Sequence, residues 1–503
     1  MKKYILILIV VALNSCTQPS KIISDNNSLI NIKANLEFLA SDELEGRETA
    51  TRGAKLAALY ISKELKKYGV KPFADNGTYF QEFDISISGI SKNASITFYD
   101  SIESRTIVNG TSMIYNVRNI YDSSLSNTNF QIVYAGFGIS SEEKNYDDYE
   151  SIDISNKIVL LKTGMPSETF DKPEDKKYSK WSYKLSNAKK HGAKGVMLIV
   201  DEQANNNWKG YTTWAKIIKY NLIDEDTSIA KPTIPMVILN LEETQKLLNT
   251  EPFSYEQILD DEASSFILNN KMSFQFSYQN EIKTARNIIG IKEGNDEKLK
   301  NEYVVITAHY DHLGKKGDEI YNGADDDGSG VVAIMEAIRK ISFRNNNKRS
   351  IVVAFHTGEE KGLKGSKYLT ANSSFIKNTV ANINIDMVGR ESIDSIYCIG
   401  SRKLSAEYGK LIEDVNAKTT NFIFNYKFDD PDDPNKLYYR SDHVHYANKG
   451  IPIVFFYDYM QEDYHKPSDT FEKINYEKIN KISELVYNIS LEVANLNHKL
   501  VID

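Results

Sequence analysis

The sequence predicts an α/β protein built on a mainly parallel, mixed sheet with helices on both faces, interrupted by a β-rich α+β insert. Residues 303–307 (YVVIT) and 351–355 (IVVAF) are short β-branched and aromatic runs, too short for helices and apolar enough for strands buried on both faces. Between them Val331, Ile334, Met335 and Ile338 recur at helical spacing behind Gly328-Ser329-Gly330. Strand, helix, strand is the repeating unit of a parallel sheet. From about Ile90 to Gln279 the texture changes to strand-like runs (130–134, 158–162, 196–200, 234–239) separated by Asn, Ser and Asp turns, with one helix over 181–191.

Taken in order, the chain opens with Met1-Lys2-Lys3 and an apolar run over 4–13, short for a membrane span and suited to an export signal. Leu13-Asn14-Ser15-Cys16 follows and resembles the bacterial lipoprotein cleavage box, in which the cysteine becomes the acylated first residue. The expectation is a signal peptide over 1–16, lipidation at Cys16, a polar tether over 17–27 and an exported protein. It would be membrane-anchored in a bacterial cell envelope; the alternative is an ordinary secretory signal.

The main domain then begins, spanning 28–90. Leu29, Ile32, Leu36 and Leu39 form one helical face, and Ala54, Ala58, Ile61, Leu65 and Tyr68 another that stops at Gly69. An acidic loop over 40–47 joins them; a turn at 75–78 and a strand at 79–83 follow. The insert occupies 91–282, and the main domain resumes over 283–503. That part reads as a strand over 285–291, a charged hairpin turn over 292–301, the strand before His309, a short helix over 362–369 and a strand over 380–385. The strand 453–457 and an amphipathic helix bearing Ile479, Ile482, Leu485, Val486 and Ile489 complete it.

Hydrophobic residues make up 41% of the 503, enough for a large core and more than one domain. Lys plus Arg number 61 against 69 Asp plus Glu, a net charge of −8 with no long basic block, which argues against nucleic acid as a partner. With Cys16 acylated, Cys398 has no mate, so no disulfide framework is available.

Chemistry concentrates between His309 and Glu360. AHYDHLG (308–314) leaves one strand, GADDDGSG (323–330) opens a helix, and TGEEKG (357–362) leaves the next strand. Open α/β sheets place their sites at such strand ends. Three adjacent aspartates and two adjacent glutamates in one cleft repel unless cations neutralise them, and imidazole with carboxylate suits zinc. The competing reading is a capped helix and solvated loop charges.

These knots carry a resemblance to the zinc exopeptidases of the bacterial leucyl aminopeptidase and glutamate carboxypeptidase type, peptidase family M number twenty-eight. The matching order is AHxDH, GADDDxSG, EExG, a strand ending in DM at Asp386-Met387, and YHxxxDT at 464–470. The resemblance implies the zinc-dependent exopeptidase fold and two Zn2+ per chain. Asp326 would bridge the ions, with His309 and Asp386 completing one and Glu360 and His465 the other. Glu359 would be the general base acting on a metal-bridging water, and Asp311 would orient His309. The implied function is removal of N-terminal residues from peptides. Carboxypeptidases, dipeptidases and glutaminyl cyclases use the same cradle, and a receptor-like binding protein on a dead peptidase fold is the alternative of a different class. The complete ligand set and the glutamate pair argue against the last two.

Arg390, Asp442, His443 and Tyr464 are candidate substrate contacts, Arg390 equally a structural ion pair, and Ser441-Asp442-His443 resembles a family motif near the substrate pocket. His312, His356, His443 and His445 lie in the same half and are assigned structural or substrate-contact roles. The acidic run 429–434 reads as a solvated turn, or else as a rim attracting an amine or cation. The aromatic loop 457–464 suggests a pocket for an apolar or bulky first residue. In the insert, YAGFG (134–138), KIVLL (157–161) and GAKGV (192–196) resemble a protease-associated domain, which would cover or border the cleft. Oligomeric state is left open.

Overall fold

The protein is described by a computed structural model covering residues 25–74, 76–91, 93–100, 103–116, 121–215, 218–223, 233–390 and 392–503. The expected signal segment, Cys16 and residues 17–24 of the tether lie outside the described residues. The last tether residues, 25–27, belong instead to the first helix, α1 (Asp25–Leu39). Two compact units divide the chain: residues up to Gln81 together with Arg286–Asp503, and Glu82–Ala285.

In the first unit the apolar runs become central strands. After α2 (Arg52–Lys67) come β1 (Tyr278–Lys292, of this unit from Arg286 on), β2 (Tyr303–His309), α3 (Gly330–Arg344), β3 (Ser350–His356), α4 (Lys364–Asn372) and β4 (Thr379–Asp386). They are followed by β5 (Ser395–Ile399), α5 (Ala406–Lys418), β6 (Ile423–Asn425), α6 (His443–Ala447), β7 (Ile453–Tyr457) and α7 (Tyr476–Asn495). The strand order is β1-β3-β2-β4-β7-β5-β6, with β3, β2, β4 and β7 parallel. β1 and β5 run antiparallel to their neighbours β3 and β7. The segment 292–301 is therefore no hairpin turn: β3 lies between the two strands it joins. β2 and β3 are apolar on both faces and take the sheet centre, which displaces β1 outward.

Alternation along the strands separates two cores. Val304, Ile306 and Ala308 face α1, α2, α3 and α7, whereas Val305, Val352 and Ala354 pack with Leu369 of α4 and Tyr446 of α6. Helix α3 is buried from Gly330 to Ile341, as its nearly continuous apolar sequence requires. Thr51 caps α2 by accepting from Ala54 N, and Lys66-Lys67 and Gly69 at φ +79° close it.

The second unit holds an eight-stranded sheet. Four adjacent strands, Asn129–Tyr134, Ile158–Lys162, Gly195–Ile199 and Met236–Leu239, run parallel, with three strands on one side and one on the other joined antiparallel. It has its own apolar clusters on both faces, around Leu160 and around Leu161. No helix among the described residues is long and apolar enough to cross a membrane.

Candidate metal centre

The parallel strands of the first unit end in step. His309 of β2 lies opposite His356 of β3, and Asp386 of β4 opposite Tyr457 of β7. These are carboxyl ends, where a parallel sheet leaves room for a site.

Between β2 and α3 the chain makes an irregular turn over Ala324–Ser329. Gly323 enters it at φ +57°, where an added Cβ would lie 2.2 Å from the Asp326 carbonyl oxygen and 2.5 Å from His312 Cγ, so only glycine fits. The Asp326-Asp327 peptide is cis. The turn sends three neighbouring carboxylates in three directions. Asp325 Oδ1 accepts Gly389 N at 2.7 Å. Asp327 Oδ1 accepts Gly330 N and Met387 N, each at 3.0 Å, and its Oδ2 accepts His309 N at 3.2 Å. Both acids therefore knit the strand ends together. Asp326 alone spans the site: Oδ1 is 3.3 Å from His309 Nε2, and Oδ2 is 3.3 Å from His465 Nε2.

Asp386 Oδ1 stands 3.5 Å from His309 Nε2, while its Oδ2 accepts Ser441 Oγ at 2.9 Å. Glu360 is held between two imidazoles, Oε2 3.2 Å from His465 Nε2 and Oε1 2.7 Å from His312 Nδ1. Two sets of ligating atoms thus gather within 4.8 Å: one on His309, Asp327 and Asp386, the other on His312, Asp326 and Glu360. Asp327 is near enough to ligate, but backbone N–H groups occupy its oxygens. His309 Nδ1 lies 3.1 Å from the Asp311 carbonyl oxygen and 3.7 Å from the Asp311 carboxylate. The Asp311 carboxylate accepts Thr49 Oγ1 at 2.6 Å and Glu359 N at 3.3 Å, tying the two glutamates to the histidine strand.

Electrostatics separate the acids. Burial pushes the Glu359 carboxyl well above its ordinary range; His309 opposes this, and Asp386, Glu360 and Asp442 reinforce it. Burial would also raise Asp326, but His312, His309 and His465 hold it well below. Burial would lower His465, yet Asp326 and Glu360 raise it to about 10. Asp326 Oδ2, Glu360 Oε1 and both His312 ring nitrogens are buried with no well-formed hydrogen bond. Most buried polar atoms in folded proteins find partners, and this nitrogen-and-carboxylate set fits divalent cations, zinc among them.

Comparison with known proteins agrees. Residues 287–490 match the model of peptidase family M28. This stretch is similar to peptidase family M28. Among curated relatives, aminopeptidase YwaD of Bacillus subtilis is 29% identical over 216 residues, 41% of this chain and 44% of that protein. A probable leucine aminopeptidase 1 of Trichophyton verrucosum is 29% identical over 209 residues, 38% of this chain and 55% of the relative. The chain thus spans about half the length of the curated relatives it matches. Among solved structures, an aminopeptidase from Aneurinibacillus sp. strain AM-1 matches at a TM-score of 0.56 and 19% identity, over 95% of this chain and 98% of the other. BSAP, a zinc aminopeptidase from Bacillus subtilis, matches at 0.51 and 19%, over 92% and 94%. At these identities the likeness establishes the fold.

Within the M28 unit, the cleft beside the acids has a second wall of Met387, Leu437, Phe455, Tyr457 and Tyr464. Tyr464 stacks on His465 with ring centres 3.8 Å apart. The other expected substrate contacts, Arg390, Asp442 and His443, are not among the residues that line this cleft. The Arg390 guanidinium bonds Asp463 at 2.6 Å and approaches Asp469, whose carboxylate accepts the backbone N of Asp325 and Asp326. Arg390 therefore braces the aspartate turn. His443 is buried, with Nε2 2.8 Å from the Tyr438 carbonyl and its ring stacked on Phe455; burial lowers it to about 3. Asp442 is fully buried, and burial raises it to about 7. The run 429–434 is no solvated turn throughout: Asp429 accepts Gly400 N, and Asp433 is buried and accepts Asn435 N and Leu437 N.

Sequence reasoning undervalued His312, three residues beyond His309 at the same strand end, and missed Arg47. That buried guanidinium donates to the carbonyls of Leu39, Tyr310, Asn322 and Gly323 at 2.5 to 2.9 Å. Chain adjacency flagged His312; nothing local flagged Arg47.

Proposed function

We propose that this chain is a di-zinc aminopeptidase that removes N-terminal residues from peptides. The observation that carries the reading is Asp326, whose two oxygens face His309 on one side and His465 on the other. His309 and Asp386 would hold one ion and Glu360 and His465 the other, with Asp326 between. Two such ions supply Lewis acidity and a readily ionised water. The relatives named as aminopeptidases, one of them a zinc enzyme, support both the metal and the N-terminal direction.

Glu359 lines the cleft together with the aromatic residues. Its raised proton affinity suits a group that takes a proton from the attacking water and delivers it to the departing amine. Asp311 fixes this geometry from behind by holding the Glu359 backbone and the His309 ring together. The aromatic wall would border the first side chain, and the acids would receive the free amine.

The test is to incubate the zinc-loaded protein with matched peptides bearing free or acetylated N-termini and follow products by mass spectrometry. Stepwise loss from free N-termini only, abolished by a chelator, is expected. Trimming from the C-terminus, or cleavage of dipeptides alone, would move the reading to a carboxypeptidase or dipeptidase. Export and lipid anchoring belong to the same proposal and rest on residues 1–16 alone. Mass spectrometry of the membrane-fraction N-terminus should find an acylated Cys16, and an unmodified, unprocessed Met1 there would refute it.

A further inference from the structure

We infer that Arg440 makes this cleft selective for peptides that carry a carboxylate beside the scissile bond. The inference rests on the aminopeptidase reading and concerns which peptides that site prefers.

Arg440 shares the cleft with Asp326, Glu359 and Asp386. Every other arginine close to the site is committed: Arg47 to four carbonyls, Arg390 to Asp463. The Arg440 backbone N–H bonds the Leu437 carbonyl at 3.0 Å, but its exposed guanidinium has no carboxylate within ion-pair distance among the described residues. Four aspartates lie within eleven positions of it in the chain, at 429, 430, 432 and 433. Three of them are turned onto backbone N–H groups of Gly400, Asp432, Asn435 and Leu437. Those bonds also brace the short turn Leu437–Tyr439 that ends at Arg440, so the cation is presented from a fixed support.

The Tyr457 and Tyr464 hydroxyls line the same cleft, and neither makes a hydrogen bond among the described residues. Beside its acids the cleft therefore holds a guanidinium and two hydroxyls that no protein acceptor engages among the described residues. A planar, forked cation beside hydroxyl donors matches a carboxylate. That carboxylate can come from the first side chain of the peptide, from the second, or from the free C-terminus of a dipeptide.

Three substrate pairs separate these sources in the zinc-loaded protein: Glu-Ala-Ala-amide against Gln-Ala-Ala-amide, Ala-Glu-Ala-amide against Ala-Gln-Ala-amide, and Ala-Ala against its amide. We expect one pair to favour the acid about tenfold in kcat/KM, as one new charge-assisted contact predicts. The ratio should fall to about one in Arg440→Met and invert in Arg440→Glu. Because each ratio is taken within one protein, a general loss of activity or folding cancels. Ratios at or below one in all three pairs, or a preference that survives Arg440→Met, would overturn the inference. Cleavage of every peptide at equal rates would leave the aminopeptidase standing and remove only Arg440. Should no N-terminus be cleaved, the aminopeptidase reading fails, and calorimetric binding of the same acids and amides still decides Arg440: an acid preference lost in Arg440→Met supports it, and equal binding refutes it.

Discussion

Glu359 and Glu360 are adjacent in the chain yet face opposite demands. Glu360 is pinned between His312 and His465, whereas burial and neighbouring charges raise the proton affinity of Glu359. Glu359→Ala should therefore lower kcat by about 10² to 10⁴-fold, the range for losing a general base, with zinc content unchanged. Loss of zinc in that variant would make Glu359 a ligand instead. His312 gives the converse expectation: with Nδ1 2.7 Å from Glu360, His312→Gln should weaken zinc binding about 10- to 100-fold, measured by competition with a chelator. Unchanged affinity would reduce His312 to packing. The residues that meet at the site were readable because strong hydrophobic strands deliver polar knots to one edge. What the string does not carry is direction. Asp325, Asp326 and Asp327 look alike in sequence and are distinguished only by which backbone N–H groups each meets.

At the level of elements, the strands and the long helices were legible because apolar period fixes them, and the misplaced hairpin at 292–301 shows where period stops helping. Pairing partners are chosen by burial across the whole sheet, so β1 yields its place beside β2 to the more apolar β3. Arg47 was illegible for a related reason, since two of its four carbonyl partners lie more than 270 positions away. It ties the α1–α2 connection to two of the three knots of the site, and Arg47→Met would leave buried carbonyls unpaired. We expect about 3 to 5 kcal/mol of lost stability by urea unfolding, a range typical of breaking a buried charged network. His443 supplies an element-level pH dependence between α6 and β7. Its proton affinity is lowered from 6.5 to about 3 in the folded state, so its contribution is intact above pH 6.5 and lost as pH falls toward 3. The slope is about 1.4 kcal/mol per pH unit. His443→Phe retains an aromatic ring against Phe455, and its stability should fall less steeply than wild type below about pH 6.5. Parallel slopes in the two proteins would show that His443 protonates freely in the fold.

The whole chain joins two units with separate apolar cores, and only one of them contains the metal centre. That division carries a thermodynamic consequence. A ligand that binds the folded form alone stabilises it by RT ln(1 + [L]/Kd), about 4 kcal/mol when free zinc is a thousandfold above Kd. In the peptidase unit the gain has a local origin, because Asp326, Glu360 and His312 keep buried polar atoms that no protein group satisfies. In Glu82–Ala285 no comparable His and carboxylate cluster occurs among the described residues, so zinc should add nothing there. Calorimetric melting of the intact chain should accordingly resolve two transitions, one lowered several degrees by a chelator and restored by zinc, the other fixed. The Asp326→Asn variant, with its shared ligand weakened, should place the mobile transition near the chelated position and lose most of its response to zinc. One cooperative transition that moves as a whole would mean that the units melt together, and a zinc response unchanged in Asp326→Asn would remove Asp326 from the metal centre.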